Sequence, residues 1–328
     1  MTKRVTIFGG TGFIGRYIAR RMLRLGWQVR LAARQSDPAG AARILGAATK
    51  VSSVSCDICD ESSVRDALDA ADAIVNCVGI LVESGSNTFE ALQAEAPERM
   101  ARLAKEQGIK HMVHISAIGA DPASDSIYAA TKGRGEAAVR DHLPGAVILR
   151  PSIVFGREDQ FFNRFAAMTK LSPFLPLAGA QTRFQPVYVD DVAQAAEMAL
   201  VGKAAAGTYE LGGPDIASFE TLMQRMLGVL KRRRIIISMP MVAAAGMAFG
   251  FDTLQKLSLG VFTNNMITQD QLKNLAKDNV VGPDALSFSD LGIEPMAIDA
   301  ILPTYLGGLS GPVPSAPVED RVPPAQNR

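Results

Sequence analysis

The stretch VTIFGGTGFIGRYIARRM, Val5 to Met22, joins an apolar run, a glycine turn and an arginine-studded helix. The run RVTIFG reads as a strand. Downstream, Phe13, Ile14, Tyr17, Ile18, Met22 and Leu25 recur at three- and four-residue spacing, while Arg16, Arg20 and Arg24 fall elsewhere. That spacing predicts an amphipathic helix ended by Gly26. Between strand and helix stand Gly9, Gly12 and Gly15. In a strand–turn–helix setting the first glycine permits a tight turn, the second lets backbone approach a pyrophosphate, and the third lets helix pack on strand. The helix N-terminus adds free N–H groups and partial positive charge, so the corner reads as a dinucleotide phosphate site.

The same alternation continues outward. QVRLAAR, KVSSVSCDI, DAIVNCVG, HMVHISAIG and AVILRPSIVFG read as further strands, separated by helical patterns such as TFEALQAEAPERMARLAKEQG and SIYAATKGRGEAAVRD. Alternating strands and helices imply an α/β fold, a Rossmann-type doubly wound parallel sheet with helices on both faces. The second half is less regular, and implies a smaller C-terminal α/β lobe. FQPVYVDDVAQAAEMALVG predicts a short strand and a helix capped by Asp190 or Asp191. The expected division is a nucleotide-binding domain over 1–170 with 184–205 returning to it, a lobe over 171–183 and 206–309, and a tail over 310–328. The tail, rich in proline and polar residues, reads as disordered or extended.

The bulk properties narrow the function classes. The 328 residues suffice for one large or two ordinary domains. A formal net charge of +1 gives no global field for nucleic acid. Only Met1–Arg4 precede the first strand, so no signal peptide is expected, and no run reaches the roughly 20 apolar residues of a spanning helix. Three cysteines suggest a reducing compartment. Cys56 and Cys59 have C-x-x-C spacing but no second pair, and His111 and His114 are badly spaced for one strand face, so no metal site is expected.

Further contacts follow from position in the sheet. Thr11, Phe13, Ile14 and Arg16 accompany the glycines on the phosphate loop. Arg34, after the second strand, suits bidentate binding of a 2′-phosphate, which favours NADP(H) over NAD(H). Asp37 is the alternative, as a ribose hydroxyl acceptor. Asp57 is placed for adenine, and Asn76 and Gly79 end the fourth strand where ligands bind. Tyr128 and Lys132 lie four apart on one helix face. A nearby ammonium favours tyrosinate. Ser116 stands after the fifth strand, and Pro151 in LRPSIVFG ends the sixth.

GGTGFIG, CDI, NCVG, Ser116, YAATK and LRPSIVFG occur in that order. The sequence so resembles the short-chain dehydrogenase/reductase superfamily, in its extended or atypical branch. That resemblance assigns Ser116, Tyr128 and Lys132 to the family's catalytic positions, and implies Tyr128 as general acid/base and Lys132 as a ribose contact. Ala117 and Ile118 replace the hydroxyls usual beside the serine, so these three read as cofactor contacts rather than a working set. LRPSIVFGREDQFFNRFA, DQLKNLAKDNVV and LGIEPMAIDAILPTYL resemble the accessory-subunit family of respiratory complex I within that superfamily. The resemblance implies structurally bound NADPH, complex I subunits as partners, and a peripheral place on the cytoplasmic face of a bacterial inner membrane or the matrix side of a mitochondrial one. A free-standing reductase or epimerase is the alternative. KRRRIIISMPMVAAAGMAFGF, from Lys231, sets four basic residues before an apolar stretch. It reads either as a membrane-surface contact or as a final strand followed by a core helix.

Overall fold

A computed structural model describes residues 2–35, 37, 40, 45, 50–246, 248 and 268–307. The opening stretch forms β1 (Arg4–Phe8), the glycine turn and α1 (Phe13–Arg24). Five parallel partners follow: β2 (Gln28–Ala33), β3 (Val51–Ser55), β4 (Ala73–Asn76), β5 (His111–Ile115) and β6 (Val147–Pro151). Between them run α2 (Glu61–Ala67), a π-helical segment (Glu90–Glu95) continuing into α3 (Ala96–Glu106), and α4 (Ile127–His142).

The second half supplies β7 (Val154–Phe155), α5 (Phe162–Leu171), β8 (Phe174–Ala178), β9 (Arg183–Phe184), β10 (Val187–Tyr188), α6 (Val189–Leu200) and β11 (Gly207–Leu211). After these come β12 (Ala217–Ser218), α7 (Phe219–Leu230), β13 (Ile235–Met239), α8 (Gln269–Leu275) and α9 (Ile298–Leu306).

The central sheet has seven strands in the order β11-β6-β5-β4-β1-β2-β3, each pair parallel. The order reverses between β1 and β4, and ligands of such sheets bind at that switch, outside the carboxyl ends of the strands. Alternate residues divide the two faces. Val5 and Ile7 join Ile18, Met22, Val192 and Ala196 under α1 and α6. Phe8, Ile74 and Met112 face Met100, Leu103 and Val139 on the side of α3 and α4. A third core, around Phe162, Leu175, Leu177, Phe219, Met223 and Leu302, builds the C-terminal lobe.

Three expectations change. The strand Gly207–Leu211, expected in the lobe, is the sheet's edge strand and pairs with β6 along its length. Tyr209 and Leu211 bury into the sheet core with Phe288, Leu291 and Ile293, so apolar burial draws chain back from the assigned lobe. Conversely, Phe162 and Ala166 of α5 belong to the lobe core, which moves the boundary to before residue 162. Finally, the cap of α6 is Tyr188, whose side chain does not cap the helix, rather than Asp190 or Asp191. Asp190 is drawn to Arg21 of α1 at 2.6 Å, and Asp191 accepts from the Met296 amide at 2.8 Å.

Within the basic and apolar stretch from Lys231, Ile235–Met239 forms β13, which pairs in parallel with β8. No helix among the described residues is long and apolar enough to cross a membrane. The expected tail at 310–328, most of the short helix at 41–46, and the end of the apolar stretch at 249–251 lie outside the described residues.

Candidate functional site

The glycine corner is built by close approach. Gly9 adopts a φ of +72°, which side chains disfavour, and its amide donates to Ala32 O at 3.0 Å. A Cβ on Gly15 would lie 2.5 Å from Gly9 O and 2.7 Å from Gly10 Cα, so α1 touches the turn backbone to backbone. Gly12 caps α1 without a side-chain bond, and the Phe13 and Ile14 amides belong to the helix's first turn, whose N–H groups have no partner within the helix. Thr11 is exposed beside them. Arg16 folds back, its Nε donating to Gly12 O at 3.2 Å, with Glu158 4.0 Å away.

Just past β2, Arg34 is exposed and donates to Asn87 Oδ1 at 3.3 Å. Asp37, its competitor, accepts from the Gly40 amide at 2.8 Å. Asp57 accepts from Cys59 N at 2.9 Å. Asn76 is fully buried, donating to His114 Nδ1 at 3.1 Å and accepting from Val78 N at 3.0 Å, so it organises the loop after β4. Burial, with Lys132 nearby, pushes His114 down to about 3, and its ring stays neutral. Pro151 O accepts from Ile118 N, fixing the segment beyond Ser116. No cluster of three or more His, Cys, Asp or Glu suited to a metal occurs among the described residues.

Tyr128 and Lys132 share the inner face of α4. Lys132 is 4% exposed and donates to Ile115 O at 3.1 Å, and a Cβ on Gly79 would meet its Nζ at 3.4 Å. Burial lowers Lys132 to about 8, partly offset by Glu136 and Cys77. Tyr128 runs opposite to expectation. Burial raises it to about 12, where the lysine was expected to favour tyrosinate, and its ring stands edge-on to Phe89.

Ser116 has a different partner. Its hydroxyl donates to Glu136 Oε1 at 2.5 Å, and Glu136 is wholly buried. Arg150 grips the same carboxylate with Nε at 2.9 Å and Nη2 at 2.7 Å. Its Nη1 lies 3.4 Å from Glu210 Oε1. Buried charge needs such pairing, and a bidentate guanidinium supplies it. The serine proton is thus spent inside the protein. Glu136 and Arg150 did not stand out in the sequence. The signal was present in the i, i+4 spacing of Lys132 and Glu136, which sets both on one helix face.

These features define the class: a Rossmann-type nucleotide-binding protein whose switch point carries the glycine loop, Lys132 and Tyr128. Residues 5–212 match the NAD dependent epimerase/dehydratase family, and the chain belongs to that family. It is 34% identical over 296 residues, 88% of this chain and 74% of the relative, to the mitochondrial NADH dehydrogenase (ubiquinone) 1 alpha subcomplex subunit 9 of Arabidopsis thaliana. It is 29% identical, over 92% of this chain and 78% of the relative, to the mitochondrial NADH-ubiquinone oxidoreductase 40 kDa subunit of Neurospora crassa. The dTDP-glucose 4,6-dehydratase of Bacillus anthracis in complex with NAD shares the fold, with a TM-score of 0.68 and 14% identity over 93% of this chain and 96% of that one.

Proposed function

We propose that this chain is an accessory subunit of a proton-pumping NADH:quinone oxidoreductase, and that it holds NADPH as part of its structure without turning it over. Similarity to subunits of that complex extends over about nine-tenths of the chain, well past the residues shared with the nucleotide-binding family. The observation that carries the absence of turnover is the Ser116–Glu136 bond. A hydroxyl donating to a buried carboxylate has no proton left to polarise a substrate carbonyl. Tyr128, with its proton held to about 12, is a poor base at neutral pH.

The nucleotide is NADPH rather than NADH: the exposed Arg34 guanidinium, bonded to Asn87, suits bidentate binding of a 2′-phosphate, and the Asp37 carboxylate already accepts from Gly40 N. The subunit sits peripherally on the membrane side of the complex, on the cytoplasmic face in a bacterium or the matrix face in a mitochondrion. Of the four basic residues before β13, Arg232 and Arg234 turn inward to Ala166 O, Thr169 Oγ1 and Thr169 O. Lys231 and Arg233 stay exposed, in line with exposed Ile235 and Ile237 and beside exposed Phe174. Basic residues flanking an apolar face suit an anionic lipid surface.

The test is purification from solubilised membranes, followed by denaturation and identification of the released nucleotide. The expected result is co-migration with NADH:quinone reductase activity and release of NADP(H). A free protein that oxidises NADPH with a carbonyl substrate overturns the assignment in favour of a reductase.

A further inference from the structure

The substrate side of the nucleotide site is crossed by the chain itself. Helix α8 begins at Thr268, whose hydroxyl and Gln271 form a capping box. Asp270, in its first turn, aims its carboxylate at the N-terminus of α4. Oδ1 accepts from the Ile127 amide at 2.7 Å, and Oδ2 from Ser126 Oγ at 2.9 Å and the Tyr128 amide at 3.1 Å. These amides belong to the first turn of the helix that carries Tyr128 and Lys132, and a carboxylate there meets both open donors and the positive end of the helix dipole. On either side, Gln271 Nε2 donates to Leu81 O at 3.3 Å and Lys273 Nζ to Asp125 O at 2.9 Å. Leu81 lies two residues beyond Gly79, in the loop after β4.

The chain then continues across the carboxyl ends of the sheet. Asn279 Nδ2 donates to Ile118 O at 3.3 Å, two residues past Ser116, and Asn279 Oδ1 accepts from Ser152 Oγ at 2.7 Å, just past β6. Val281 N donates to Gln185 Oε1 at 3.0 Å and Gly282 N to Glu210 Oε2 at 2.9 Å. One stretch therefore bonds the loops after β4, β5 and β6, the start of α4 and the end of β11. Ligands of open α/β sheets approach through that edge.

We propose that residues 268–282 are a strap that shuts the substrate side of the nucleotide site and fixes the Tyr128–Lys132 helix, so that dinucleotide leaves only when the strap lifts. The inference rests on the nucleotide-holding reading above and extends it. Asp270 acts as a positioning residue: it touches the helix, and the helix touches the nucleotide.

The test uses the full chain loaded with NADPH and chased with excess NADP+, following release by NADPH fluorescence. Asp270→Ala and Asn279→Ala are expected to release nucleotide about tenfold faster. Asp270→Asn, which keeps one acceptor oxygen, falls between, and Arg65→Ala, in the surface cluster with Glu61 and Glu106, leaves the rate unchanged. As a readout independent of any variant's folding, trypsin should cut the wild type at Lys273 and Lys277 at least fivefold more slowly when NADPH is bound. Wild-type release rates in both alanine variants, or cleavage indifferent to NADPH, overturn the strap while leaving the nucleotide reading intact. A wild-type chain that takes up neither NADPH nor NADH overturns both.

Discussion

The glycine corner and the strap flank one nucleotide site, and opposite means hold them. The corner is backbone against backbone: Gly15 lies so near Gly9 and Gly10 that a single methyl has no room. The strap is held by side chains, Asp270, Asn279, Gln185 and Glu210, reaching residues far away in sequence. A backbone contact tolerates no substitution and carries no specificity beyond the nucleotide phosphates. A side-chain contact can be loosened one bond at a time, which suits the part of the site that must open.

That contrast can be broken at graded points. The largest effect belongs to Gly15→Val. Its Cβ meets backbone that has nowhere to move, so loss of folded, nucleotide-bearing protein is expected, measured by soluble yield and bound nucleotide. Recovery of a stable, loaded variant would show that the corner is as adjustable as the strap.

Next is Glu136→Ala, which leaves Arg150 facing a buried gap and frees Ser116. Stripping one partner from a buried pair costs about 3–5 kcal/mol, readable as a drop in urea midpoint. Arg150 also reaches Glu210, which receives the strap's Gly282 amide, so the loss should spread to the strap as faster proteolysis at Lys277.

A smaller effect concerns Asp191, which ties α6 to Met296. Burial, aided by Asp190, raises it from 3.8 to about 6. The unfolded chain gives up this proton first. Stability therefore falls as pH rises from about 4 to about 6 and levels off beyond, by up to about 3 kcal/mol at 1.36 kcal/mol per unit. Asp191→Asn keeps an acceptor for Met296 N and should flatten that slope in pH-dependent denaturation. The smallest effect is outside both regions. Lys231→Glu with Arg233→Glu should weaken sedimentation with anionic vesicles by about 1 kcal/mol per basic residue removed, with no change in unfolding midpoint.

Much of the nucleotide half was legible because its signals are local. A glycine spacing and a strand–helix alternation occupy a few consecutive residues, and six of the seven strands of the parallel sheet follow them. The return of Gly207–Leu211 to that sheet was not legible, since GTYEL carries no mark of which edge it joins. Tyr128 shows the same limit. Spacing placed it with Lys132, yet burial outweighed the charge and raised the phenol instead of lowering it.

The sequence by itself determined the corner, the helix bearing Tyr128 and Lys132, and the parallel sheet, because periodicity and glycine geometry act over a few residues. Only the tertiary structure decided that Ser116 spends its proton on Glu136 and that Asp270 caps a helix 143 residues away. A carboxylate's partner depends on which desolvated donors the fold brings within 3 Å of it, and no local pattern encodes that meeting.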